Sequence, residues 1–74
     1  MGGDLMPETL KSLRVSNGYT QKALANELGV SPITVFQWEH GKYKPTPSIM
    51  PKLAKTLGIS SKDLFFMINY KKSI

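Results

Sequence analysis

The stretch Thr20-Gln21-Lys22-Ala23-Leu24-Ala25-Asn26-Glu27-Leu28-Gly29-Val30-Ser31-Pro32-Ile33-Thr34-Val35-Phe36-Gln37-Trp38 decides the fold. Thr20 is a good N-cap for a helix from Gln21 to Leu28, whose inward positions are Leu24, Ala25 and Leu28. Gly29 permits the positive φ of a tight turn. Ser31 caps a following helix with Pro32 at its first position, where a missing N–H costs nothing. That helix runs through Val35 and Trp38 to about His40, and Gly41 ends it. Ala25 is small where the two helices must cross, and Val35 and Trp38, three apart, face the same core as Leu24 and Leu28. A small residue, a glycine and two spaced hydrophobes in this register describe two helices joined at a steep angle by a short turn.

Working outward, Pro7 suits the first turn of an earlier helix. Leu10 and Leu13, with Leu5 or Met6, supply its apolar stripe, and Asn17-Gly18 stops it because both residues tolerate the left-handed conformation. On the other side, Lys42-Tyr43-Lys44-Pro45-Thr46-Pro47 is too rich in proline to be helical. Ser48 then starts a helix in which Pro51 is the third residue, where no intrahelical bond is lost. Its buried face is Leu53, Ala54 and Leu57, and Gly58 is its C-terminal glycine. Ser60 or Ser61 caps a short last helix through Asp63, Leu64 and Phe65, the latter two completing the core. The reading is five short helices with no internal repeat and no strand, hence an all-α class. Residues 1–6 form a flexible leader, residues 7–66 the domain and residues 67–74 a tail.

Composition narrows the function. With 74 residues there is room for one core, near the lower limit of independent stability. There are no cysteines, which excludes a disulfide framework and a thiolate zinc site. The single His40 builds no metal site, so no metal and no cofactor are indicated, and no small-molecule ligand is implied. No apolar run is long enough to span a bilayer and no secretory signal is recognisable, so the expectation is a soluble cytoplasmic protein. Ten Lys and Arg against five Asp and Glu leave a formal charge of +5, a field that favours polyanions.

Several segments together resemble one family. Thr20-Gln21-Lys22-Ala23-Leu24-Ala25, Gly29-Val30-Ser31, Thr34-Val35, Trp38-Glu39-His40-Gly41-Lys42 and Leu53-Ala54-Lys55-Thr56-Leu57-Gly58-Ile59-Ser60 are similar to the Cro/CI-type, or XRE, helix-turn-helix regulators. The resemblance runs from about Leu10 to Phe65. It implies a five-helix, lambda-repressor-like domain that binds operator DNA, usually as a dimer, with many members acting as repressors.

The trailing helix of such a pair lies in the major groove, which admits a helix and displays a distinct pattern for each base pair. With Val35 and Trp38 turned inward, Pro32, Ile33, Thr34 and Gln37 are left to meet bases. Gln37 can pair bidentately with adenine, and Ile33 or the Thr34 methyl can touch a thymine methyl. The resemblance also makes the Gln37 position a base reader. Phe36 is open to three placements: on sugar-phosphate, against the fourth helix, or on a partner surface. The expected phosphate contacts are Gln21, at a helix start where side chain and backbone N–H groups converge, together with Ser31, Lys42, Tyr43 and Lys44. In the family an arginine on the first helix often pairs with the glutamate after the recognition-helix aromatic. Here that pair would be Arg14 and Glu39, as a structural tie. Phe66, Met67, Ile68 and Tyr70 are surplus apolar residues suited to a homodimer interface, the alternative being that they fold back on the first helix.

No nucleophile, acid–base pair or phosphate-cradling loop is assembled, so the chain is not read as an enzyme. With no effector domain following, it reads as a minimal regulator, by default a repressor; a controller-type activator is the other sign. The serious rival is a protein-interaction module on the same fold, an antitoxin or adapter, and the apolar Ile33 and Phe36 keep that rival alive.

Overall fold

The computed structural model describes residues 9–69. The described residues form five helices and no strand: α1 (Leu10–Ser16), α2 (Gln21–Leu28), α3 (Pro32–Glu39), α4 (Met50–Leu57) and α5 (Ser61–Asn69). The chain is an all-α protein. Leu24, Ala25, Val35, Leu53, Ala54, Leu57 and Leu64 are its most deeply buried apolar residues, with Leu10 and Leu28 beside them. These come from every helix and are mostly Leu at three- and four-residue spacing, so each helix turns one stripe toward a common core.

The two helix pairs end and begin alike. Leu24-Ala25-Asn26-Glu27-Leu28-Gly29-Val30-Ser31 returns 29 positions later as Leu53-Ala54-Lys55-Thr56-Leu57-Gly58-Ile59-Ser60. In both, the glycine takes a left-handed φ, 74° at Gly29 and 73° at Gly58. In both, the next residue's N–H returns to the Ala carbonyl, Val30 to Ala25 and Ile59 to Ala54, each at 3.0 Å. This is the Schellman closure, which satisfies carbonyls left open at a helix end. The expectation of no internal repeat is therefore corrected at this scale: α2–α3 and α4–α5 are built on the same turn. Their following helices share an inward residue, Val35 on α3 and Leu64 on α5, both fully buried.

Three local features of α1 and α4 differ from the sequence reading. Helix α1 begins after Thr9, whose side chain accepts from the Ser12 N–H while Ser12 accepts from the Thr9 N–H, a reciprocal cap. Pro7 thus precedes the cap instead of entering the first turn; it lies outside the described residues, as do Leu5 and Met6. Asn17 does not take up a left-handed conformation (φ −95°); Gly18 does. Helix α4 begins at Met50 and not after a Ser48 cap. Thr46 to Ile49 closes a tight turn, with the Ile49 N–H on the Thr46 carbonyl at 3.1 Å. The first four-residue helical bond is Leu53 to Ile49. Pro51, without an N–H, is then the second helical residue.

Helix α5 is longer than expected and passes the anticipated boundary at residue 66. Its N-terminus is capped by Ser60, whose hydroxyl accepts from the Asp63 N–H at 3.0 Å. With Leu64 pointing inward, successive steps of about 100° carry Phe65 and Phe66 outward and bring Met67 and Ile68 back toward the core. Phe65 is 53% exposed, so its assignment to the core is corrected, and Phe66 is 61% exposed. Met67 and Ile68 are half-buried against the chain's own core. Tyr70 lies outside the described residues.

A polar tie joins the two halves. The Asn17 amide donates to the Leu13 carbonyl at 2.8 Å and to the Leu57 carbonyl at 2.9 Å, linking the C-terminal ends of α1 and α4. Asn17→Ala is expected to lower the unfolding free energy by about 1–2 kcal/mol in urea titrations. Asn17→Asp should cost at least as much despite its similar size, because a carboxylate there faces two carbonyl oxygens and two helix C-termini.

Candidate nucleic-acid interface

The outward side of α3 follows from what its inward side must do. Val35 is fully buried and Trp38 packs, half-buried, against the core. A helix with those two positions inside turns Pro32, Ile33, Thr34 and Gln37 toward the other side. Pro32 is exposed, Ile33 is 57% exposed, and Thr34 and Gln37 are half-buried. Thr34 shares a hydrogen bond with Ser31, Oγ1 to Oγ at 3.1 Å, which holds both hydroxyls at the N-terminal end of α3. Ser31 makes no side-chain cap bond to the helix backbone. The Gln37 carboxamide has no hydrogen-bond partner among the described residues.

Phe36 is 39% exposed and stacks on His40, one turn later, with ring centroids 4.0 Å apart. His40 Nδ1 lies 3.0 Å from the Phe36 carbonyl. The aromatic pair thus covers the C-terminal end of α3.

The loop after α3 leaves on a fixed path. The Lys42 N–H returns to the Gln37 carbonyl at 2.9 Å. Lys42 and Tyr43 are exposed. Lys44 is exposed as well, but its ammonium donates to Asn69 Oδ1 at 3.1 Å, so this side chain reaches toward the end of α5. Pro45, beside it, is buried.

Behind α3 lies a polar network. The Arg14 guanidinium donates from Nε to Glu39 Oε2 at 2.5 Å and from Nη2 to Oε1 at 3.2 Å. Its Nη1 donates to the Tyr19 carbonyl at 2.8 Å. The side chains are 8% and 2% exposed. Glu39 as a whole counts as half-buried, since its backbone sits at the end of α3, but its carboxylate is enclosed. Oε1 accepts a second bond, from Gln21 Nε2 at 3.0 Å. Gln21 is the first residue of α2, so this contact links the start of α2 to the end of α3. Residues 21 and 39 share no helical or turn spacing, and only the packed fold brings them together.

The structure therefore brings Gln21, Glu39 and the start of the Lys42 loop to one end of α3, and Ser31 with Thr34 to the other. Lys44 turns toward α5. The only ionised residue on α3 is Glu39, neutralised by Arg14; exposed Lys22, Lys42, Lys52, Lys55 and Lys62 lie on other elements.

Comparison with known proteins identifies this arrangement. The helix-turn-helix family matches residues 10–64. The chain belongs to the Cro/CI-type, XRE helix-turn-helix family. Membership carries DNA-binding transcription regulation as its function. The chain is similar to an HTH-type transcriptional regulator of Methanocaldococcus jannaschii, 40% identical over 60 residues, which cover 81% of this chain and 91% of that one. It is similar to a second such regulator, of Bacillus subtilis, 32% identical over 62 residues covering 84% and 94%. A third, of Archaeoglobus fulgidus, is 33% identical over 60 residues covering 81% and 86%. No solved structure matches the chain significantly. No helix among the described residues is long and apolar enough to cross a membrane.

Removing one member of the enclosed ion pair strands the other charge. Arg14→Met or Glu39→Leu alone is expected to cost roughly 3–5 kcal/mol of stability, and the two together much less, as read from urea midpoints of the three variants.

Proposed function

We propose that this helix-turn-helix protein reads double-stranded DNA sequence-specifically with α3 in the major groove and acts as a homodimeric cytoplasmic repressor. The observation that carries the reading is the division of α3. Val35 and Trp38 are held by the core, while Pro32, Ile33, Thr34 and Gln37 form an outward side without a charge, suited to base edges and thymine methyls. Gln21, Ser31, Lys42 and Tyr43 would hold the phosphates and fix the register, and Lys44, which donates to Asn69 in the free protein, would join them by exchanging that exposed bond for a phosphate. Repression needs only occlusion of a promoter by tight binding. The chain acts by binding and not by catalysis.

Dimerisation is supported by the exposed pair Phe65 and Phe66 on α5. Beside Phe65 and Ile68 an apolar groove of about 430 Å³ runs between α5, the loop at Pro45 and Pro47, and the first turn of α4. Large exposed apolar surface of this kind marks a partner. Relative to the sequence reading, the proposed interface keeps Phe66 and takes in Phe65, with Met67 and Ile68 behind them.

The protein-docking reading is favoured by one observation, the exposure of Ile33 and Phe36. Salt separates the two. Affinity for a DNA duplex should fall steeply with salt, and Lys42→Ala or Lys44→Ala should reduce the log–log slope by about 0.9 while weakening all sequences alike. A protein-docking face would show no such slope.

Selection from random duplex DNA should return two half-sites about one helical turn apart. Against the selected sequence, Gln37→Ala should lose roughly 1–3 kcal/mol of discrimination at one base position; unchanged preference would remove Gln37 as a base reader. Phe66→Ser should shift sedimentation toward the monomer.

A further inference from the structure

We infer that Glu39 is a positioning residue for DNA binding: it holds the Gln21 carboxamide so that an N–H of its amide faces a backbone phosphate. This rests on the proposed phosphate contact of Gln21. A carboxylate only accepts, so the Gln21 end that meets Glu39 Oε1 at 3.0 Å is Nε2. An amide nitrogen carries two protons. One is committed to Glu39, and the other is left on a half-buried side chain at the first position of α2.

The backbone there contributes further donors. The first N–H groups of a helix have no intrahelical partner. Thr20 Oγ1 takes that of Ala23 at 2.9 Å, which leaves those of Gln21 and Lys22 beside the amide. Without Glu39 the carboxamide could rotate and offer its oxygen, which repels a phosphate.

A carboxylate this near a DNA backbone would itself oppose binding. Arg14 removes that penalty by pairing with both carboxylate oxygens from the inside. The enclosed pair presents no net charge to the duplex and keeps its orienting acceptor. The ion pair that ties α1 to α3 thereby also aims a donor on α2, and side-chain fixation in advance reduces the ordering cost of binding.

The test is a double-mutant cycle on affinity for a short mixed-sequence DNA duplex at low salt, with each variant shown to be folded at the assay temperature. Gln21→Ala should weaken binding about three- to tenfold, the worth of one hydrogen bond. Glu39→Gln should weaken it similarly, because one remaining acceptor oxygen must serve both Arg14 and Gln21. The double variant should bind no worse than Gln21→Ala alone.

If Glu39→Gln does not fold, the charge-free pair Arg14→Met with Glu39→Leu takes its place, with the same expectation. A loss from the Glu39 change that persists undiminished beside Gln21→Ala, or wild-type affinity in the Glu39 variant, overturns the inference and leaves Gln21 a phosphate contact. Wild-type affinity in Gln21→Ala overturns both. Absence of any duplex binding by the unmodified chain overturns the functional reading itself.

Discussion

The enclosed contact between Arg14 and Glu39 is the constraint on which the arrangement depends. A domain this small has few apolar residues to spare, and its helices of seven to nine residues are too short to be stable alone. Their mutual placement must come from tertiary contacts. One guanidinium reaches the end of α3 through Glu39 and the α1–α2 connection through the Tyr19 carbonyl. The carboxylate in turn reaches the start of α2 through Gln21. Four pieces of chain meet at two charges, and among the described residues no buried side-chain polar atom is left without a partner. A buried ion pair is weak evidence for stability by itself. Its value here is geometric, since it sets where α3 ends relative to where α2 begins.

The second organising feature is the reuse of one turn. Leu-Ala-x-x-Leu-Gly, an aliphatic residue and Ser close both α2–α3 and α4–α5, and the residue four positions after the serine, Val35 or Leu64, enters the core in each. The two trailing helices differ in what they turn outward. Two residues beyond Val35 stands Gln37, whereas two beyond Leu64 stands Phe66. A polar amide suits base edges and a large apolar ring suits another protein surface. The same local geometry is thus finished with opposite surface chemistry, which is what the proposed roles of the two pairs require, DNA for one and a second copy of the chain for the other.

Much of this was legible in the residues. Thr20, Gly29 and Ser31 act through their own backbone and nearest neighbours, so α2 and the turn into α3 could be bounded from local chemistry. The family resemblance on Trp38-Glu39-His40-Gly41-Lys42 pointed to a pairing of Arg14 with Glu39 across 25 positions, which spacing alone does not encode. Less legible were positions where several local solutions compete. Ser48 is a good cap by type, but Pro51 and the Thr46–Ile49 turn together move the start of α4 to Met50. Phe65 reads as core by composition, yet the phase of α5 is set by Leu64, and one step of rotation puts the ring outside.

The sequence by itself determined that there are five helices, the cap of α2 at Thr20 and the inward residues of α2, α3 and α4, because those depend on interactions within about four residues along the chain. It also determined which side of α3 is left over once Val35 and Trp38 are spent on the core. Only the tertiary structure decided that Gln21 leans on Glu39, that Asn17 joins the ends of α1 and α4, and that Lys44 turns to Asn69. Each of these is a polar contact between residues 18 to 40 positions apart. Hydrogen bonds act over about 3 Å, so they form only after apolar packing has fixed the helices at that distance.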